Sequence, residues 1–550
     1  MLNPMRKSLL RWTVVLAIVF ATMAAVPATA DSPAAPVFES SACPDDTFPP
    51  DVAVDCGFVT VPENRSQPNG TTIKVAAALV HATDSNVKDD PIVFLDGGPS
   101  FGAISSFALG AYFSGASFIQ DRDLILVDTR GTGLSQPRLG CPEFDRASVA
   151  STYSKPFVDS DYAKNYKVAI AACRDRLTGD GIDLSAYNSA ESAADLDAIR
   201  QALGYDQWNL LAWSADGVLG LTYMRLFPDG IRSSIIDSGQ SAQWLGGLDY
   251  ARGNAQRVEK VFAGCAANAA CNALYPNIRT LFFNQVHQLQ AHPALIPIPA
   301  FEPRPVTIRF DGTWLYNEVS YGIFPGNKYE PEHIHDLLSD IWRMTHGELK
   351  RVMQEHFGTG PQESDNDSAF AEGKTMSYVC HDVVGFISQS DLNQAALDVP
   401  ELAPLILDPN FDLPTGPAGC RIWGVGVAAP AQHQPVSSTI PTLVLAGEYD
   451  GGGGVPPLIT RQIPPTLPNS FYYEFPAGAH GQLADFNNAS PCARTIAAQF
   501  LDAPSVRPDS GCIASVAPID YTPPPDPLAS AAKGVAPSPF DVRHFGWAHR

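Results

Sequence analysis

The stretch 209-NLLAWSADGV-218 reads as an apolar strand running straight into the first turn of a helix, with Ser214 at the junction. A sharp strand-to-helix turn of this kind holds a serine hydroxyl exposed at the edge of a sheet. It is normally framed as G-x-S-x-G, because little beyond glycine fits two residues either side. Here the flanking positions are Ala212 and Asp216. The local sequence supports two readings: Ser214 as a nucleophile on such an elbow, or Ser214 as the N-cap of the helix behind it.

Outward from Ser214, short β-branched runs alternate with helical ones from Val59 to about Asp237. "TIKVAAALV", "PIVFLDGG", "DLILVDTRG", "QWNLLAWS" and "SSIIDS" read as strands, and "AESAADLDAIRQALG" and "VLGLTYMRLFP" as helices. Continuous apolar strands separated by helices predict an α/β fold with a doubly wound, mostly parallel sheet covered on both faces. From Gly239 the rhythm turns helix-rich, polar and proline-punctuated, until "IPTLVLAGEYD" and "SFYYEFPAGAHG" restore the strands and "PCARTIAAQFL" supplies a closing helix. The expected organisation is a leader over 1–30, a first core part over 31–238, and a large helical lid inserted over 239–435. A second core part over 436–515 and a loosely ordered Pro- and Ala-rich tail over 516–550 complete it. An insertion at that place sits over the carboxyl ends of the strands, where open α/β sheets bind ligands.

Arg6, Lys7 and Arg11 precede the apolar run "WTVVLAIVFATMAAV", and Ala28-Thr29-Ala30 offers a small-residue cleavage site. This pattern predicts an export signal removed after Ala30, with a retained anchor as the alternative, and a secreted or periplasmic chain with no further membrane contact. The formal charge is −22, and −25 once the three basic residues of the leader are gone. Phosphate binding needs clustered Lys and Arg, so nucleic acid and anionic lipid are excluded as partners. All ten cysteines follow the leader, and an even number in an exported chain favours disulfides. Pairing neighbours in order gives 43–56, 141–173, 265–271, 380–420 and 492–512. No metal or cofactor is expected: there is no C-x-x-C pair, and His333 and His335 of "EHIHD" read as solvated helix residues.

A serine hydroxyl is a poor nucleophile until a base removes its proton. His480, in the Gly-rich loop of "EFPAGAHGQL" after the last core strand, stands where the chain order Ser…Asp…His places that base. Asp450, ending "LVLAGEYD" at the carboxyl end of the preceding strand, is the residue to orient the imidazole, with Glu448 as the alternative. Asp216 as the nucleophile of a shifted elbow is a further option on spacing alone.

Together "DLILVDTRGTGLSQP", "NLLAWSADGVLGLTYMRLFPDGIRSSIIDS", "IPTLVLAGEYD", "FPAGAHG" and "SPCARTIAAQFL" resemble the secreted tripeptidyl aminopeptidase and prolyl iminopeptidase-like group of α/β-hydrolases, over about Cys43 to Cys512. The resemblance implies Ser214 as nucleophile, Asp450 as acid and His480 as base. It also implies an oxyanion hole from the backbone N–H groups of Gly98, in "LDGGPS", and Ala215, and a structural brace in Asp128 and Arg130. Asp382, in the insertion, is the candidate for meeting a substrate's free amino group. The sequence departs from the group at the centre: Ala212, Ala215 and Asp216 replace the G-x-S-Y-G residues, Ser100 ends a loop that is otherwise GGPG, and "DGGGGVPP" follows the acid. The glycine run reads as a flexible loop.

An Asp216 carboxylate facing the oxyanion at about 4 Å would oppose it by roughly 4 kcal/mol at an effective dielectric near 20, or about a thousandfold in rate. Turned instead to the free amides of its own helix, it costs far less. The expectation is thus an exported serine hydrolase with a modified, working elbow. It would act through an acyl-enzyme on a peptide or small-molecule substrate, as an exopeptidase at a free amino terminus. The alternatives are an esterase, lactonase or amidase on a non-peptide substrate, and a catalytically silent binding protein. The oligomeric state is left open.

Overall fold

A computed structural model describes residues 35–523, except 45–46, 49–51, 105–115, 153–158, 300–304, 322–333, 357–369 and 485–488. By internal packing the chain divides into Met1–Ala35 and Pro36–Arg550, and every element named below belongs to the second unit. The leader, His333 and the end of the tail lie outside the described residues.

Nine strands form one sheet in the order β1-β2-β3-β5-β4-β6-β7-β10-β11. They are β1 (Phe38–Ser41), β2 (Val54–Pro62), β3 (Thr72–Val80), β4 (Ile92–Leu95), β5 (Leu124–Asp128), β6 (Trp208–Trp213), β7 (Ile231–Asp237), β10 (Thr442–Gly447) and β11 (Ser470–Phe475). The pairs β1–β2, β2–β3 and β3–β5 are antiparallel, and every pair from β5 through β4, β6, β7 and β10 to β11 is parallel. The parallel strands are joined by crossovers, so helices cover both faces and the central strands are buried on every residue, as in β4, β5, β6 and β10.

Alternation decides which side chain meets which face. Val93, Leu95, Ile125 and Leu210 pack against Leu196 and Ile199 of the helix Ser189–Ala202 and against Leu219, Leu221 and Met224 of the helix Gly217–Leu226. Ile92, Phe94, Leu126 and Leu211 face the other way, onto Ala493, Ile496, Ala497 and Phe500 of the helix Ser490–Asp502. Asn188 starts the first of these helices by accepting from the Glu191 N–H.

Between β7 and β10 lies the helical insertion, including Gly247–Ala267, Ile278–Ala291, Glu372–Asp382 and Pro417–Trp423. It also holds an antiparallel ribbon of β8 (Ala294–Ile298) and β9 (Val306–Phe310), which the sequence reading did not separate from its helices. Its apolar core is shared with Phe144, Tyr166 and Ile170 of two helices that precede β6, so the insertion rests on the first core part. All five neighbour disulfides form. The tail is not loose where it is described: Ile519 and Tyr521 are buried, and the Tyr521 hydroxyl lies 3.2 Å from that of Tyr449. No helix among the described residues is long and apolar enough to cross a membrane.

Candidate active site

β6 ends at Trp213, and Ser214 opens the turn Ser214–Asp216 with φ of 56°, a left-handed conformation rare outside glycine. A non-glycine residue so placed costs on the order of 1–3 kcal/mol and persists only where its surroundings enforce it. The sequence supplies that enforcement through displaced glycines. Ala212 is fully buried, and the Cβ it carries in place of the usual glycine is housed by Gly220, whose own Cβ would lie 3.0 Å from it. Gly217, one residue after the expected +2 glycine, lets the helix pass the backbone after β7: a Cβ there would lie 2.7 Å from the Gln240 carbonyl oxygen. Gly97 does the same on the β4 side, where a Cβ would stand 2.9 Å from that of Ser214.

Asp216 is buried, with its Oδ2 accepting from the Gly97 N–H at 3.2 Å. It makes no side-chain cap on its own helix, so the amide that satisfies it comes from the neighbouring loop rather than from the helix turn expected above. Burial pushes its carboxyl up to about 6, against the lowering effects of the Gly97 N–H and the Lys374 charge. Gly97 is thereby committed to Asp216, whereas the N–H of Gly98 takes part in no hydrogen bond among the described residues. Ala215 follows Ser214 in a first turn, where backbone N–H groups have no partner within the helix.

Asp450 follows β10 and is 2% exposed. Both its carboxylate oxygens lie 3.1 Å from His480 Nδ1. The Val455 N–H also approaches Nδ1, at 3.3 Å. A carboxylate can only accept, so these two contacts put the proton on Nδ1 and leave Nε2 as the basic nitrogen; in that tautomer the longer Val455 approach is a contact and not a hydrogen bond. The glycine run after the acid is built to this pair rather than loose: a Cβ on Gly454 would stand 2.2 Å from Asp450 Oδ1 and 2.7 Å from His480 Cγ. Gly452 in turn donates its N–H to Asn254 of the insertion.

The histidine loop is moored to the strand beside the elbow. Asp237, which ends β7 and pairs with Trp213, accepts from the N–H groups of Gln482 at 2.8 Å and Leu483 at 2.9 Å. The Ser238 hydroxyl accepts from Gly481. The His480 ring consequently lies beside the Trp213 ring, centroids 5.2 Å apart.

A family model described as the alpha/beta hydrolase fold matches residues 90–295, a span that takes in β4, the elbow and β7. Residues 90–295 thus carry an α/β-hydrolase fold domain. It is 24% identical over 410 residues to the serine protease Hip1 of Mycobacterium tuberculosis, covering 72% of this chain and 76% of that one. To the tripeptidyl aminopeptidase of Streptomyces lividans it is 30% identical over 191 residues, 34% of this chain and 35% of that one. To the proline iminopeptidase of Aeromonas sobria it is 27% identical over 243 residues, 44% of this chain and 48% of that one. With this fold and these peptidase-named relatives, the chain is a serine hydrolase.

Elsewhere in this α/β-hydrolase, the other candidates fall into place. Asp382 is not free to meet an amino group: its Oδ2 accepts from the Ser189 N–H and hydroxyl at 2.8 and 2.7 Å, and its Oδ1 lies 2.7 Å from His381 Nδ1. Glu448 faces Lys260 and the Ala477 N–H instead of the histidine. Arg130 grips Asp195 with two bonds of 2.7 Å, and Asp128 accepts from Ile104 and Leu134, both in the bracing role expected. His335 bonds to the Asp520 carbonyl. Cys141 and Cys173, which approach Glu143, are joined as a disulfide and offer no thiolate to a metal. The sequence reading missed Gly97, Gly454, Asp237 and Lys374. Only Asp237 had a local signal, an acidic residue closing an apolar strand in "SSIIDS".

Proposed function

We propose that the hydrolase cleaves peptides from a free amino terminus, with Ser214 as nucleophile, His480 as base and Asp450 as its orienting acid. The observation that carries the reading is the Asp450–His480 pair, set by the mooring on Asp237 beside a serine held at positive φ. Ser214 Oγ attacks the substrate carbonyl while His480 Nε2 takes its proton, and Asp450 stabilises the imidazolium. The Gly98 and Ala215 N–H groups receive the negative charge on the carbonyl oxygen. Collapse breaks the C–N bond as the imidazolium protonates the leaving amine, which yields an acyl-Ser214. Water, deprotonated by the same histidine, then releases the acid. The names of the relatives support a peptide substrate. Export through the leader over 1–30 is supported by the five disulfides, which form in oxidising compartments.

Fluorophosphonate labelling of the mature protein, compared with Ser214→Ala and His480→Ala, tests the catalytic assignment: wild-type labelling lost in both variants is the expected result. Tripeptidyl and aminoacyl arylamides with free or acetylated amino termini, run beside nitrophenyl esters, test the substrate class. Turnover of blocked substrates or esters alone overturns the exopeptidase reading.

A further inference from the structure

Two residues at the centre that are not the expected glycines, Ser100 and Asp216, share a neighbour. The loop 96–101 leaves β4 and passes over the elbow, and it carries the Gly98 N–H. On one side Asp216 holds it through the Gly97 N–H. On the other it meets the insertion. The Ser100 hydroxyl is 2.5 Å from that of Thr375, the Ser100 carbonyl accepts from the Ala371 N–H at 3.2 Å, and the Phe101 ring meets Phe370 edge-on with centroids 5.1 Å apart. The Phe101 ring also packs on Gly98, where a Cβ would stand 2.2 Å from it. Lys374, the residue between Ala371 and Thr375 that points inward, is 3% exposed and donates to Ser192 at 3.2 Å. It shares a small pocket with Asp216, Pro99, Ser189 and Tyr378. Burial pulls its ammonium down to about 8, while Asp382, Asp216 and Asp195 favour its charge.

We propose that Asp216 and Ser100 are positioning residues that fasten the oxyanion loop to the elbow and to the insertion helix Glu372–Asp382, so that the insertion holds the Gly98 N–H at the reacting carbonyl. The inference rests on the proposed catalytic assignment for its effect on rate, though not for the clasp itself. It reverses the sign expected of Asp216. A carboxylate that merely opposes the oxyanion slows the enzyme, so Asp216→Gly, which restores the usual elbow, would speed it. A carboxylate that holds the loop makes the same change harmful. Misplacing a catalytic group by about 1 Å costs on the order of a hundredfold.

Wild type, Asp216→Gly, Asp216→Asn and Thr375→Val are compared by hydrogen exchange over 96–104 and by kinetics on a nitrophenyl ester or arylamide. The clasp predicts at least tenfold faster exchange in Asp216→Gly and Thr375→Val. It predicts kcat lower by roughly a hundredfold in Asp216→Gly, with KM within about threefold. Asp216→Asn, whose side-chain carbonyl still accepts from Gly97, recovers most of both. Unchanged exchange in Asp216→Gly and Thr375→Val, or a faster Asp216→Gly enzyme, overturns the proposal. If the proposed catalytic assignment fails, wild type and Ser214→Ala turn over alike, and the exchange result alone decides for or against the clasp.

Discussion

Ala212 and Gly220 are a matched pair: the methyl group on β6 occupies the space that a side chain on the elbow helix would need. The elbow therefore keeps the tight packing of G-x-S-x-G with its glycine moved eight residues along the chain and one layer outward. Gly220→Ala brings two methyl carbons to 3.0 Å in a fully buried site. We expect it to destabilise the fold by roughly 1–3 kcal/mol through overpacking, despite the better helix propensity of alanine. Adding Ala212→Gly in the same chain should return most of that loss. Urea unfolding of the two single variants and the double variant measures it, and additive effects would show that the pair is not coupled.

Asp450→Asn tests the orienting role. An amide in that position can turn its N–H toward Nδ1 and so fix the wrong tautomer of His480. The expected loss in kcat is about ten-thousandfold, with the fold intact by circular dichroism. Retention of more than a tenth of the activity would assign the orienting role elsewhere.

Gly454→Ala places a methyl group against both the carboxylate and the imidazole. Because the backbone at that point is braced through Gly452 and Asn254, the Asp450–His480 pair has to give way. The prediction is a fall in kcat on the order of a hundredfold, with little change in KM. An equivalent change at Gly453, whose Cβ would meet nothing within 4 Å, should leave kcat within about twofold and serves as the control.

The pH dependence of stability has a clear sign at Glu318. Buried at 1% exposure beside the Trp314 indole N–H, its carboxyl is pushed from 4.5 up to about 7 by desolvation. A folded-state carboxyl that holds its proton more tightly than the unfolded chain's contributes stability that is full below about pH 4.5 and is lost as the pH rises through 7. Glu318→Gln should thus raise stability above pH 7 by about 3 kcal/mol, and the gain should vanish near pH 4. Thermal unfolding at pH 4, 6 and 8 reads it directly. A gain that is constant with pH would point to packing instead of ionisation.

How much of this was legible in the chain depended on how local each feature is. "TIKVAAALV" became β3 with the same limits, Thr72–Val80, because an apolar run bounded by turn residues carries its own signal. β2 did not stand out, since Gly57 interrupts it. The reason for that glycine lies in β1: a Cβ would sit 2.5 Å from the Glu39 carbonyl oxygen. The Asp450–His480 pair was visible from chain order and strand ends alone. The glycine run after Asp450 reads as slack in sequence, because the imidazole that closes on Gly454 from the far side of Asp450 belongs to His480, 26 positions later. Asp216 was judged against its own helix, and its partner Gly97 is 119 residues away. Asp382 was judged by its charge in an acidic chain, and its two oxygens are spent on Ser189 and His381.

Asp237 moors the histidine loop to β7 by accepting two backbone N–H groups, so the proposed base and nucleophile are held at adjacent strands of the sheet and none of the three proposed catalytic side chains belongs to the insertion. The sheet is the jig, and the insertion is tooling bolted onto it at the oxyanion loop. A protease nick within the insertion would leave the proposed nucleophile and base in register while loosening the grip on the loop 96–101.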